Sequence, residues 1–144
     1  MLLTNLTTYR NVGLLLLRLG LGAAFVAHGW GKLFGGIEHW HQLGQVFPIP
    51  PATFWGFMAA VTEFFGGILL GLGLLFRPAC LFLTIQMAVA MFFFHLRSDD
   101  PAIHSFSRGW SHAFEDGIVF LALLMIGPGI YSLDHLLTRK TSLQ

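Results

Sequence analysis

Arg18, His28, Lys32, Glu63 and His95 each interrupt a long apolar run, and His112, Glu115 and Asp116 open another. Histidine and a desolvated carboxylate can titrate near neutral pH. Such a set can therefore accept, donate and relay protons, or hydrogen-bond a polar headgroup. A carboxylate in the middle of an apolar run must be protonated or paired, and Lys32 and His28 are the partners within reach of Glu63. His28 with His95 or His112 would suit haem as axial ligands, and Glu63 or Glu115 could join a metal sphere. These residues come one or two to a run with no local ligand motif, so haem or metal is the less favoured use of them.

The runs that must position these groups are membrane spans. The chain has 144 residues, of which 55% are hydrophobic and 10% charged, and its mean hydropathy is +0.69. That is too apolar for an ordinary soluble domain. Roughly 20 apolar residues cross the hydrocarbon of a bilayer, and each ionisable group inside a span costs about 2.5–3.5 kcal/mol on insertion scales. Residues 12–36 accept that cost at Arg18, His28 and Lys32. At about 100° per residue, Arg18, Gly22, Phe25, Gly29 and Lys32 fall near one line, with His28 on its edge. The helix is thus expected to carry a polar, small-residue face.

One transmembrane domain over 1–144 is expected, an all-α integral membrane four-helix bundle with spans at about 12–34, 53–76, 79–96 and 110–131. The segment 37–51 reads as a loop because Pro48, Pro50 and Pro51 deny a continuous helix. In the second span Gly56, Ala59, Ala60, Gly66 and Gly67 lie on the side of Glu63, which turns the acid toward the bundle. A turn at Arg77-Pro78 leads into the third span, where Thr84, Ala88, Met91 and His95 share a face and Phe92, Phe93 and Phe94 serve as lipid contact and packing. A polar connection containing Asp99, Asp100, His104 and Arg108 precedes the fourth span, which Gly127-Pro128-Gly129 should kink or end. An amphipathic tail follows.

With four spans the termini and the Arg77 turn share a side. That side collects Arg10, Arg77, Arg139 and Lys140, so the positive-inside rule places both termini in the cytoplasm. Trp30, Trp40, Trp55 and Trp110 fall at the outer boundary, and Tyr9 and Tyr131 at the inner one. At 1.5 Å per residue, His28, Glu63, His95, His112, Glu115 and Asp116 come out roughly 20–29 Å from the cytoplasmic helix ends. The expected site is therefore one layer in the outer half of the bundle, with Lys32 at its rim.

Plainer uses compete. Lys32, His112 and Asp116 lie close enough to the headgroups to be interfacial residues, and Arg18 and Asp134 are candidates for a structural ion pair. His39, His41, His104 and His135 fall outside the spans and are expected to be solvated. The single cysteine, Cys80, excludes an intrachain disulfide or a CxxC redox pair. Charges scattered singly leave no basic stripe for nucleic acid. A cleaved signal peptide is disfavoured, since Arg18 interrupts the apolar core and the run continues to Phe34.

The segments RLGLGAAFVAHGWGKLFGG, EFFGGILLGLGLLFRPA and GPGIYSLD, in that order, resemble the DoxX (DoxD-like) family of small bacterial four-helix inner-membrane proteins. The resemblance covers nearly the whole chain. It implies a multi-pass protein of the bacterial cytoplasmic membrane, associated with quinone chemistry as an oxidoreductase subunit or with catechol, quinone and thiol stress. The family's characteristic positions fall here on Arg18, His28, Gly29, Lys32, Glu63, Arg77 and the Gly127-Pro128-Gly129 turn. The resulting expectation is a membrane subunit binding a quinone-like ligand through His28, Glu63, His95 and Glu115, with a protein partner supplying electrons. The alternative is a non-enzymatic scaffold or lipophilic small-molecule binding protein that recruits a partner oxidoreductase. A homo-oligomer is compatible with either.

Overall fold

The computed structural model describes residues 6–96 and 110–141, except the side chains of residues 6–8, 95, 140 and 141. The elements are α1 (Leu6–Leu33), α2 (Gly36–Gly44), α3 (Ala52–Leu72), α4 (Phe76–Val89) running into a π-helical turn (Ala90–His95), α5 (Trp110–Ile126) and α6 (Leu133–Thr141). Every regular element among the described residues is a helix, with no strand. Tyr9–Leu33, Ala52–Leu72 and Phe76–Phe94 are long and apolar enough to cross a membrane. α5, of 17 residues, packs against α4. The polar connection 97–109 lies outside the described residues.

The exterior is apolar. Leu16, Leu19, Phe65, Phe82, Ile118, Leu121 and Met125 are exposed, a belt that suits hydrocarbon and not water. Burial in such a protein is governed by close packing, because lipid is as apolar as leucine. Small residues therefore set the helix contacts. A Cβ on Gly22 would stand 2.7 Å from the Gly67 carbonyl oxygen, one on Gly67 would stand 2.8 Å from the Gly22 oxygen, and one on Gly29 would strike the Phe64 backbone. α1 and α3 thus touch backbone to backbone. Between α1 and α5 the contact is aromatic, Phe25 meeting Phe120 edge to face at 4.8 Å.

Several boundaries differ from the sequence expectation. α1 begins about two turns earlier than the apolar run, since a helix anchored in lipid propagates through Thr7 to Asn11 without needing apolar residues there. The expected loop after α1 contains α2, whose residues precede all three prolines and so keep their backbone donors. α2 lies against the start of α3, with Gly44 and Gly56 leaving no room for a side chain between them.

The tight turn falls at 73–75 and not at Arg77-Pro78. α3 ends in a Schellman motif, the Gly73 amide donating to Leu70 (3.1 Å) and the Leu74 amide to Leu69 (3.0 Å). Gly73 and Leu75 both have positive φ, at 64° and 45°. Pro78 then sits in the first turn of α4, where its missing donor removes no intrahelical bond. α5 stops at Ile126, short of the expected Tyr131, because Gly127 (φ 88°) and Gly129 (φ 75°) reverse the chain around Pro128. Ser132 caps α6, accepting from the His135 amide at 3.2 Å and donating to the Gly129 carbonyl at 2.7 Å.

Candidate ligand cavity

Lys32, in the last turn of α1, meets Glu63, in the middle of α3. Its Nζ stands 2.6 Å from each carboxylate oxygen. The glycine contacts at Gly22, Gly29 and Gly67 bring the two helix axes close enough for this pairing. Glu63 is 3% exposed, whereas the lysine side chain is 33% exposed. The acid is thus fully withdrawn from solvent and its partner reaches in from the edge. The Trp40 indole N–H donates to the Lys32 carbonyl at 2.9 Å and its ring meets Phe57 edge to face at 4.9 Å, tying α2 to the end of α1 and to α3.

Lys32 and Glu63 form part of the wall of a cavity of about 510 Å³ between α2, α3 and α4. Its other walls are predominantly apolar, Phe47, Met58, Ile85, Val89 and Phe94 among them. Phe47, from the segment after α2, covers one side by packing on Trp55 (4.4 Å between ring centroids) and Phe93 (5.3 Å). Two further polar groups line it, the Gln86 amide and the Trp55 indole. The Trp55 N–H is buried and has no hydrogen-bond partner among the described residues. The cavity wall thus carries a cation, a carboxylate and an amide on an apolar surface, the constitution of a small-molecule site, and the buried Trp55 N–H belongs to one of its lining residues.

The expected single layer divides. Lys32 and Glu63 belong to the cavity. His28 is exposed, its ring edge-on to Phe25 at 6.1 Å, and it neither bonds Glu63 nor lines the cavity. Asp116, half-buried on α5, lies within electrostatic reach of His112, His28 and Glu115, a second polar group outside the cavity wall. Depth along a helix is a single coordinate, and residues at one depth on different helix faces need not meet. His95 ends the π-helical turn, and its side chain lies outside the described residues. Among the described residues no three His, Cys, Asp or Glu side chains gather in a way that could hold a metal ion, so His28 and His112 lack a third ligand there.

Two cavity residues escaped the sequence reading. Gln86 is the one amide in its span, and that was the available signal. Trp55, by its position in the sequence, signals only an interfacial anchor. The face of Thr84 and Ala88 is not the cavity face: Thr84 donates to the Cys80 carbonyl at 2.8 Å within its own helix, and Ala88 is exposed.

Arg18 and Asp134, the expected ion pair, lie within electrostatic reach of each other but make no direct bond, and each anchors a separate tie. Arg18, 1% exposed, donates to the carbonyls of Pro128 (2.5 Å) and Tyr131 (2.7 Å). Asp134 accepts from the amides of Leu75 and Phe76, each at 2.9 Å, and so caps α4. The reversal at 127–131 leaves carbonyls without helical donors inside the bundle. The buried guanidinium satisfies them, while the carboxylate meets the equally orphaned amides at the α4 N-terminus.

The model of the family described as DoxX matches residues 13–96. This chain belongs to the DoxX family. The matched stretch carries Lys32, Glu63, Trp55 and Gln86, so the whole polar lining of the cavity lies inside the DoxX region. An uncharacterized protein of Haemophilus influenzae is 30% identical over 145 residues, spanning 96% of this chain and all of the relative. The inner membrane protein YqjF of Escherichia coli is 31% identical over 133 residues, 90% of this chain and 95% of the relative. The uncharacterized membrane protein Rv3486 of Mycobacterium tuberculosis is 33% identical over 140 residues, 88% and 82% respectively. No solved structure matches. The DoxX chain is a multi-pass protein of the bacterial inner membrane, in keeping with its three long apolar helices.

Proposed function

We propose that this DoxX protein is a membrane subunit associated with quinone and quinol redox chemistry, holding a quinone-like ligand in the cavity between α2, α3 and α4. The supporting observation is the Lys32–Glu63 pair in an otherwise apolar wall, beside a buried Trp55 N–H without a partner. A quinone headgroup needs donors at its carbonyls, which Lys32 and Trp55 would supply. A quinol needs an acceptor for its hydroxyl, the part of Glu63, with Gln86 able to take either part. The apolar walls would receive the ring and the start of the tail. Electrons come from a partner protein, since Cys80, the single cysteine, is buried and cannot form a redox pair.

The same reading takes α1, α3, α4 and α5 as four spans with both termini in the cytoplasm. It is supported by the first half of α1 lying beside α6: Arg18 of α1 bonds Tyr131, and Arg10 lines the same cleft as Asp134 of α6. The cavity then lies toward the outer face.

A second reading has its own support. Lys32 occupies both oxygens of Glu63, which suits a structural tie in a non-enzymatic scaffold or lipophilic-ligand carrier. Purification in mild detergent, with an absorption spectrum and solvent extraction, separates the two. Co-purifying quinone supports the first reading, a Soret band points to haem, and neither leaves the scaffold. Glu63→Gln in protein that still folds should weaken binding of a quinone analogue at least tenfold. Unchanged affinity removes Glu63 from the site.

A further inference from the structure

At the end of the bundle where α1 begins, a separate cleft of about 620 Å³ opens between α1, the start of α4, the 128–130 reversal and α6. Arg10 and Arg77 line it from two different helices. Both are exposed, and neither makes a hydrogen bond or ion pair with another described residue. Arg77 extends over the reversal, its Nη2 lying 3.9 Å from the place of a Cβ on Gly127. His135 adds a third nitrogen-bearing side chain, and Leu75, Ile130 and Leu137 give the cleft an apolar side. The one carboxylate present, Asp134, already has both oxygens committed to the amides of Leu75 and Phe76.

Depth decides what such a cleft can meet. Arg77 is the second residue of α4, and Arg10 lies two residues before the apolar run of α1 that starts at Val12. Both guanidinium groups therefore belong at the headgroup level of one membrane face. α6 exposes Leu133, Leu136 and Leu137 beside them, which suits a helix lying along the same boundary. We infer that this cleft binds the phosphodiester headgroup of an anionic phospholipid, Arg10 and Arg77 holding the phosphate while Leu75, Ile130 and Leu137 meet the glycerol and the first acyl carbons. Guanidinium is suited to phosphate because its planar donors match the oxygen spacing, and basic pockets between spans at a membrane face take anionic lipid headgroups.

The test uses the full chain in mild detergent and scores lipid retention by native mass spectrometry, with phosphatidylglycerol, phosphatidylcholine or inorganic phosphate added. Wild type should retain phosphatidylglycerol in preference to phosphatidylcholine, with no competition from phosphate at the lipid's own concentration. The double variant Arg10→Gln, Arg77→Gln should bind phosphatidylglycerol about 30-fold more weakly, the worth of two basic side chains at a membrane face. Equal retention of the two lipids by wild type needs no variant and overturns the inference. Undiminished affinity in the double variant, or displacement by equimolar phosphate, does the same.

Discussion

Lys32 Nζ lies 2.6 Å from both carboxylate oxygens of Glu63, joining the end of one long helix to the middle of the next at the wall of a cavity. Two glycine-mediated backbone contacts on the same helix pair set the distance between the axes, so the ion pair is a product of close packing and not its cause. The acid is withdrawn from solvent, and the partly exposed lysine reaches it from the edge.

Removing one partner should cost more than removing both. Glu63→Gln leaves Lys32 without its carboxylate and is expected to destabilise by about 1–3 kcal/mol, between the values for exposed and fully buried pairs because the lysine is partly exposed. Adding Lys32→Met should restore part of that loss. Reversible unfolding in mixed micelles gives the cycle, and strictly additive effects would show that the pair is not coupled.

Trp55 separates packing from ligand binding. Trp55→Phe keeps an aromatic ring against Phe47 and removes the unpartnered N–H, so stability should change by less than about 1 kcal/mol. Quinone-analogue affinity should fall by about 3- to 10-fold, the worth of one hydrogen bond. Titration of the analogue against both proteins checks this, and equal affinities would take the indole N–H out of the site.

Arg18 holds the chain reversal after α5. Arg18→Met leaves the Pro128 and Tyr131 carbonyls without their donor and should cost about 3 kcal/mol or more, since hydrogen bonds to charged groups are worth about 1.5–3 kcal/mol each. Arg18→Lys should recover only part, because one ammonium replaces a fork that reaches two carbonyls. Melting temperatures in detergent rank the three proteins. Wild-type stability in the Met variant would contradict the assignment.

Two glycines two residues apart should behave oppositely. Gly29→Ala drives a methyl into the Phe64 backbone and is expected to cost about 1–3 kcal/mol or to prevent folding. Gly31 has nothing within 4 Å of its would-be Cβ, so Gly31→Ala should be neutral or gain up to about 1 kcal/mol of helix propensity. Thermal stability in one detergent compares them directly.

Helical periodicity and hydropathy were enough to identify the membrane class and the positions of the long helices, because a bilayer demands apolar length and internally satisfied backbone. They also put Arg18, Gly22, Phe25 and Gly29 on one face, and all four are buried. Element ends were less legible. Gly73 and Leu75 form the turn that Arg77-Pro78 suggested, because the Schellman bonds at Leu69 and Leu70 depend on backbone geometry that proline only marks from a distance.

What the order of residues determined by itself was an apolar helical chain with Glu63 facing inward and in need of a cation, since an unpaired carboxylate cannot be buried among small residues at tolerable cost. Which cation answered it was decided by tertiary structure. Depth along a helix can be counted from sequence, but the rotation of one helix against another follows from how Gly22, Gly29 and Gly67 interlock. That rotation gave Lys32 to Glu63, left His28 on another side, and brought Trp55 and Gln86 to a common cavity.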